Sequence, residues 1–252
     1  MRRILVLIVL GLSGGLTAAN AQSSAAPGGT ATAAQAMPSD RTSRDDTYEY
    51  WFGYGNAIPG GHWSHFGYAG FERALNQTSL YTSGPMLRAD FGAGAYKPSV
   101  SFFAGSVMLG WREPLGPGYI TLYGGPDFLW NNAPDTFYVH GPHAGGKVAL
   151  QYQINGHVGG LNLFSFTSYS SIADAFSTYL RPGYRLTTHL RLGPEASFYN
   201  DRYYQEERVG GFLAYWFEGH GTLWVGGGWL NPHRNPNISG GYYAYVSWGV
   251  TQ

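Results

Sequence analysis

The 252-residue chain contains no cysteine. That excludes disulfide frameworks, thiolate zinc sites, iron–sulfur clusters, cysteine nucleophiles and lipid attachment through an N-terminal cysteine. Charge is scarce: Asp, Glu, Lys and Arg make up 12% of the residues, about half the usual share of roughly 25%. Fifteen basic side chains balance fifteen acidic ones, so the chain has neither the basic footprint of a nucleic-acid binder nor the acidic excess of a solvating tail. From Thr47 onward no apolar run reaches the roughly 18 residues of a membrane helix, and no segment sustains a stripe of period 3.6 for long. A phosphate-cradling glycine loop with its lysine is missing. The Gly-x-Ser-x-Gly match at 11–15 sits in an apolar leader, without the strand–turn–helix context that gives the motif meaning.

What is abundant is glycine, 38 residues, and aromatics, at 17% with 20 Tyr, 14 Phe and 8 Trp. A chain this aromatic buries ample surface, so disorder of the bulk is excluded. Residues 1–21 read as a secretory signal peptide: Arg2 and Arg3, an apolar run from Ile4 to Leu16, then Ala19-Asn20-Ala21 as the cleavage pattern. Residues 22–46, rich in Ala, Ser, Thr, Gly and Pro with a charged finish, read as a flexible periplasmic tail. One domain is expected over 47–252.

That domain alternates with period two. Leu190, Leu192, Pro194, Ala196 and Phe198 oppose His189, Arg191, Gly193, Glu195, Ser197 and Tyr199. Val148, Leu150, Tyr152 and Ile154 oppose Lys147, Ala149, Gln151 and Gln153, and Tyr242 to Thr251 repeats the pattern. About twelve such segments (10–14) occur, near 47–55, 63–73, 85–95, 99–111, 117–126, 145–155, 160–171, 174–186, 188–199, 207–218, 221–230 and 240–251. Each is about nine to thirteen residues long, the length of a tilted membrane-crossing strand rather than the five or six of a soluble one. The expectation is all-β: an antiparallel transmembrane β-barrel of the outer-membrane type. A soluble periplasmic β-sandwich would alternate too. Odd-numbered connections, expected outside the cell, are the longer ones, with 127–144 the longest. Even-numbered ones are tight except the second, around Asn76–Gly84. Tyr48, Tyr50, Trp51, Tyr54, Trp111, Tyr119 and Tyr123 are candidates for interfacial girdles.

Because charge is scarce, its position is informative. Glu72, Arg88, Asp90, Lys147, Arg181, Arg185, Arg191, Glu195 and Arg208 fall within strands, on the non-lipid face where the register is clear. They read either as a lattice of carboxylates and guanidiniums satisfying a polar interior, or as a cationic lining for anionic or sugar-like solutes. The luminal series shows Tyr199, Tyr243 and Tyr245 but more Arg and Gly than aromatics, which argues against a glucan conduit. Trp130, Tyr138, Tyr203 and Tyr204 in outer connections are candidate glucan-contacting aromatics, against a plain anchoring role. The histidine pairs His62/His65 and His140/His143 lack a carboxylate set, so no metal or cofactor is expected. A membrane enzyme acting on lipid or lipopolysaccharide would need a rim Ser–His pair, for which Ser64, His65, Ser83, Ser99 and Ser101 are present without a selecting spacing. No catalytic residue is assigned.

Several phrases then carry a resemblance: Tyr50-Trp51-Phe52-Gly53-Tyr54-Gly55, Thr121-Leu122-Tyr123-Gly124-Gly125-Pro126-Asp127, Gly146-Lys147-Val148 with Gln151, Arg181-Pro182-Gly183-Tyr184-Arg185, Leu192-Gly193-Pro194-Glu195-Ala196, Tyr204-Gln205 and Arg208-Val209-Gly210. Together, over about 48–250, they resemble the cellulose biosynthesis protein BcsS family. The resemblance implies a role in making, exporting or anchoring cellulose at the outer membrane and carries over no catalytic residue; the preferred expectation is a non-enzymatic accessory of cellulose secretion. The partners it implies are outer-membrane lipid and a cellulose chain or secretion complex. A small-solute channel is the other alternative.

Overall fold

The computed structural model describes residues 46–59, 63–75, 79–96, 100–132, 140–155, 160–233 and 239–252. The leader and tail expected over 1–21 and 22–46 lie outside these residues, Asp46 excepted. Twelve strands follow one another: β1 (Tyr48–Pro59), β2 (Ser64–Ala74), β3 (Gly84–Tyr96), β4 (Val100–Leu115), β5 (Gly118–Asn131), β6 (Gly141–Ile154), β7 (Leu161–Ser170), β8 (Ala175–Arg185), β9 (Leu190–Asn200), β10 (Gln205–Phe217), β11 (Gly221–Pro232) and β12 (Gly241–Thr251). Each pairs antiparallel with its neighbours, and β1 pairs with β12 from Glu49↔Thr251 to Pro59↔Gly241, closing the sheet. Closure leaves no strand edge, the condition for a sheet to stand in hydrocarbon with every backbone group satisfied.

The alternation resolves into two surfaces. Leu109, Leu122, Val148, Val209, Val225 and Val246 point outward and are exposed. Tyr48, Tyr50, Trp111, Tyr184 and Tyr215 flank this band near the rim that carries the chain termini, and Trp63, Trp130, Trp229 and Tyr242 flank it near the opposite, far rim. An apolar band between aromatic girdles is the outer-membrane arrangement. Trp51, Tyr119 and Tyr123 depart from the girdle expectation: they point inward and are buried.

Glycine and aromatic content have one shared explanation. Inside the barrel an aromatic lies flat over the glycine facing it on the next strand, as in Gly53↔Tyr68, Gly70↔Trp51, Gly110↔Tyr123 and Gly226↔Tyr245. A Cβ at Gly226 would lie 2.4 Å from the Tyr245 ring, and one at Gly110 would lie 2.5 Å from Tyr123. Each glycine makes room for a ring, and the ring shields the backbone that glycine leaves bare.

Strand limits differ most at β5 and β6, which run to Asn131 and start at Gly141, so the fifth connection is shorter than expected. Pro126 ends the expected fifth segment and Pro142 falls in the expected connection, and proline cannot donate to a ladder. The sheet absorbs Pro126 by interrupting the β4–β5 ladder between Ser106↔Asp127 and Leu109↔Gly124. Pro182 and Pro194 sit in a similar gap between Leu180↔Ala196 and Tyr184↔Leu192. The long second connection also has a cause. Its described part turns inward at the terminus-bearing rim, burying Leu80, whose amide donates to the Asp46 carbonyl at 2.8 Å, with the Tyr81 ring edge-on to Tyr119 at 6.3 Å.

Candidate functional site

The lumen is filled by arginines sandwiched between aromatics and tied to carboxylates. The first cluster, on β2, β3, β4 and β6, centres on Glu72. This carboxylate accepts from Arg88 Nη1 at 3.3 Å and from Arg112 Nη2. Arg88 also makes a bidentate pair with Asp90, 2.9 Å on each branch, and donates to Gln151 Oε1 at 2.9 Å. Arg112 Nε donates to Thr121 Oγ1 at 2.8 Å, and its Nη1 donates to the Leu80 carbonyl, fastening the inward-turned connection. The Arg88 guanidinium lies 4.4 Å from the Phe166 ring centroid and 4.9 Å from that of Trp51, and Arg112 lies 3.9 Å from Tyr119.

The second cluster centres on Glu195 of β9. It accepts hydroxyl hydrogen bonds from Tyr179 (2.8 Å), Tyr243 (2.9 Å) and Tyr245 (2.5 Å), and faces Arg181 at 3.3 Å. Arg181 Nη2 donates to the Tyr245 oxygen at 2.8 Å, so that hydroxyl relays between cation and anion. The rings of Tyr179, Phe212, Trp224 and Tyr245 surround Arg181 at 4.7–5.5 Å, and Arg191 lies 4.7 Å from Trp224. A third pair, Arg208–Glu206, sits toward the far rim, where Tyr204 donates to Glu206 at 2.6 Å. Desolvated guanidiniums on aromatic faces gain up to about 2 kcal/mol, and paired carboxylates remove the larger penalty of an isolated buried charge.

Each expected site residue has a definite place. Arg88, Arg181, Arg191, Glu195 and Arg208 are buried in the lumen, whereas Asp90, Lys147 and Arg185 point inward but are half-buried. Arg112, Glu206 and Glu49 also belong to this interior and escaped the sequence reading. A strand limit set at residue 111 put Arg112 in a turn, although the inward parity of Ser106, Met108 and Gly110 continues to it. Glu206 falls one residue before the expected tenth segment, 207–218. The inference that the lumen is poor in aromatics is corrected, because Trp51, Phe66, Tyr123, Phe164, Phe166, Tyr179, Phe212 and Trp224 fill it. These rings stack on arginines and on one another, not along an open path.

Of the candidate glucan-contacting aromatics, Trp130 points outward at a girdle position, Tyr204 is buried against Glu206, Tyr203 is exposed on the β9–β10 turn, and Tyr138 lies outside the described residues. That turn is rigidly built. Asp201 Oδ1 accepts from the amides of Tyr203 and Tyr204 at 2.7 and 2.6 Å. Arg202 Nε donates to Asp174 at 2.7 Å, joining it to the β7–β8 turn, where Ala173 and Asp174 both hold positive φ. The Arg202 hydrogen bond, aided by that from Tyr169, holds the Asp174 carboxyl below its ordinary range. Burial, reinforced by Tyr119, Glu49 and Asp46, pushes the Tyr81 phenol well above its own. Ser64 and His65 point to opposite faces, the serine inward with its hydroxyl on the Ala57 carbonyl, so they form no dyad. Among the described residues no set of three His, Asp or Glu side chains is arranged to hold a metal.

Solved outer-membrane proteins resemble this chain to differing degrees. An outer membrane channel from Pseudomonas putida F1 is 12% identical with a TM-score of 0.50, over 88% of this chain and 98% of that one. The KdgM porin, solved with disordered oligogalacturonate, is 8% identical with a TM-score of 0.48, over 80% and 97%. The translocator domain of the autotransporter NalP from Neisseria meningitidis is 12% identical with a TM-score of 0.41, over 81% and 88%. At these identities the likeness to the channel concerns the fold, that of an outer-membrane barrel. No match was found among curated proteins. One family profile, described as "Cellulose biosynthesis protein BcsS", matches residues 60–252.

Proposed function

This chain belongs to the cellulose biosynthesis protein BcsS family, and from that premise we propose that it is a non-enzymatic outer-membrane accessory of cellulose secretion. It works by contacting the export machinery or the glucan at the membrane surface, not by passing polymer through its lumen. The observation that carries this reading is the filled interior. Arg88, Arg112, Arg181, Arg191, Tyr123, Tyr179, Phe166 and Trp224 are all inward-facing and at most 2% exposed. An eight-stranded barrel is just filled by ordinary side chains and a sixteen-stranded one leaves a channel. Twelve strands lie between, and long guanidiniums stacked on rings span the extra width. The described part of the second connection adds a stop at the terminus-bearing mouth.

Two measurements test the proposal together. The purified protein in planar bilayers is expected to give no discrete conductance steps, and deletion of its gene is expected to lower cellulose yield or cell attachment, restored by the wild-type chain. Unchanged yield, polymer crystallinity and attachment would sink the accessory role, and steady single-channel currents would replace it with a solute channel.

A further inference from the structure

Inward-facing side chains are not uniformly buried. Arg88, Tyr123, Phe166 and Tyr179 are buried at mid-height, but inward-facing Asp90, Asp127, Lys147, His143 and Tyr199, nearer the far rim, are half-buried. Solvent therefore reaches the wall formed by β3, β5, β6 and β9 from the far rim and stops at the arginine–aromatic layer, whereas Ser64, Glu206, Arg208 and Leu230 are buried at the far-rim end of β2, β10 and β11. This side of the lumen is a blind cup, about 10 Å deep from the Asn131↔Gly141 pair to the Asp127↔Gly145 pair, given four residues of tilted strand.

The cup wall carries a continuous polar row. Ser106 of β4 faces Asp90 of β3 on one side and Asp127 of β5 on the other. Ser170 of β7 reaches across β6 to donate to Asp127 at 2.5 Å, and Lys147 of β6 is the register partner of Ser170. Beyond it the Ser168 and Ser177 hydroxyls share a hydrogen bond at 2.8 Å, and Ser177 faces Tyr199. This row differs from the lattice beneath it. Below, carboxylates are matched to guanidiniums. Here Asp90 is engaged by Arg88 from underneath, Asp127 is held by a serine hydroxyl, and Lys147 pairs with neither among the described residues. The Ser106 hydroxyl, fully buried between the two aspartates, has no hydrogen-bond partner among the described residues. A buried hydroxyl left without a partner costs about 1–3 kcal/mol, which a ligand hydroxyl bound beside it would recover.

We propose that this cup receives the end of an uncharged, hydroxyl-rich saccharide chain, with Asp90, Ser106, Asp127, Lys147, Ser170 and Tyr199 as its contacts. Two carboxylates accept, an ammonium donates, and serine and tyrosine hydroxyls do both, which matches groups that are each donor and acceptor. Arg88 neutralises Asp90 from underneath, and Asp127 and Lys147 carry opposite charges, so neither a polyanion nor a polycation is favoured. The blind base admits a chain end and stops it. This reading rests on the cellulose role proposed above and narrows it to chain-end capture.

The test titrates the detergent-solubilised full chain with cellotetraose, using intrinsic tryptophan fluorescence and calorimetry, with tetragalacturonate as the anionic comparator. Cellotetraose is expected to bind. Asp127→Asn and Lys147→Met are each expected to raise Kd by about tenfold, the worth of a hydrogen bond to a charged group. Leu150→Ala on the outer face is expected to leave it unchanged. Heat-modifiable gel migration checks the folding of each variant, and Ser106→Ala serves as a third, minimal perturbation. Absence of cellotetraose binding to millimolar concentration, tighter binding of tetragalacturonate, or equal affinity in all three cup variants overturns the proposal. A deletion that impairs cellulose while the wild-type protein ignores cellotetraose removes the cup and keeps the accessory role. Binding without a cellulose phenotype does the reverse.

Discussion

Replacing Glu195 by Gln tests whether the interior is held by its charge lattice. The substitution keeps shape and one acceptor oxygen but removes the anion on which Tyr179, Tyr243, Tyr245 and Arg181 converge within 2.5–3.3 Å. Removing one partner of a buried ion pair costs about 3–5 kcal/mol. The four aromatic rings around Arg181 soften the loss through cation–π attraction of up to about 2 kcal/mol, so about 3 kcal/mol is expected for E195Q. The partner substitution Arg181→Met should cost less, because the carboxylate it leaves behind is still solvated by three tyrosine hydroxyls. The double variant should cost well less than the sum of the singles, with a coupling of about 2 kcal/mol, since replacement of a whole buried pair is often close to neutral. Unfolding by urea in lipid vesicles, followed by tryptophan fluorescence, measures all three. Where unfolding is slow, rates substitute for equilibria, and about 3 kcal/mol corresponds to about two decades. E195Q within about 0.5 kcal/mol of wild type, R181M worse than E195Q, or strict additivity would refute the reasoning.

Three further outcomes are expected. Gly226→Ala should destabilise by about 1–3 kcal/mol, because its Cβ would meet the Tyr245 ring at 2.4 Å, whereas Gly146→Ala, with nothing within 4 Å, should fold normally; vesicle folding yield separates them. Val225→Arg, in the outward apolar band, should cost about 2–4 kcal/mol in a bilayer if it sits near the midplane and far less in detergent, and equal costs in both would place that face out of lipid. For the rim pair the Asp174 carboxyl lies below its ordinary range because Arg202 and Tyr169 bind its ionised form. A depressed carboxylate stabilises above its unfolded pKa and loses that effect as pH falls through the folded value, so the two turns should stay joined at neutral pH and separate only in acid below the usual aspartate range. At pH 7.5 Asp174→Asn should hasten trypsin cleavage after Arg202, and an unchanged cleavage rate would contradict the link.

Much of the scaffold was legible because alternation is a local property. Every expected strand segment has its counterpart, since period two needs only neighbouring residues to be read. The glycine and aromatic excess was visible too, but not its pairing logic, because Gly226 and Tyr245 meet only through the register of two strands. Trp51, Tyr119 and Tyr123 were assigned to the wrong surface for a related reason. A tyrosine suits an interface and a lumen equally well, and parity names a face only after the barrel closes. Arg112 was lost to a strand limit one residue short.

The sequence by itself determined that this chain makes long two-faced strands, that it has few charges to place, and that those charges lie mostly on one face. Only the tertiary structure decided what the charges do. Glu72 meets Arg88 and Arg112 across separations of 16 and 40 residues, and Arg88 meets Gln151 across 63. The same closure turns the described part of the second connection inward and leaves Asp90, Asp127, Lys147 and Tyr199 half-buried toward the far rim. The physical reason is that alternation sorts side chains between two faces. Which of them share the interior, and whether they fill it or leave a cup, depends on strand count and register around the closed barrel.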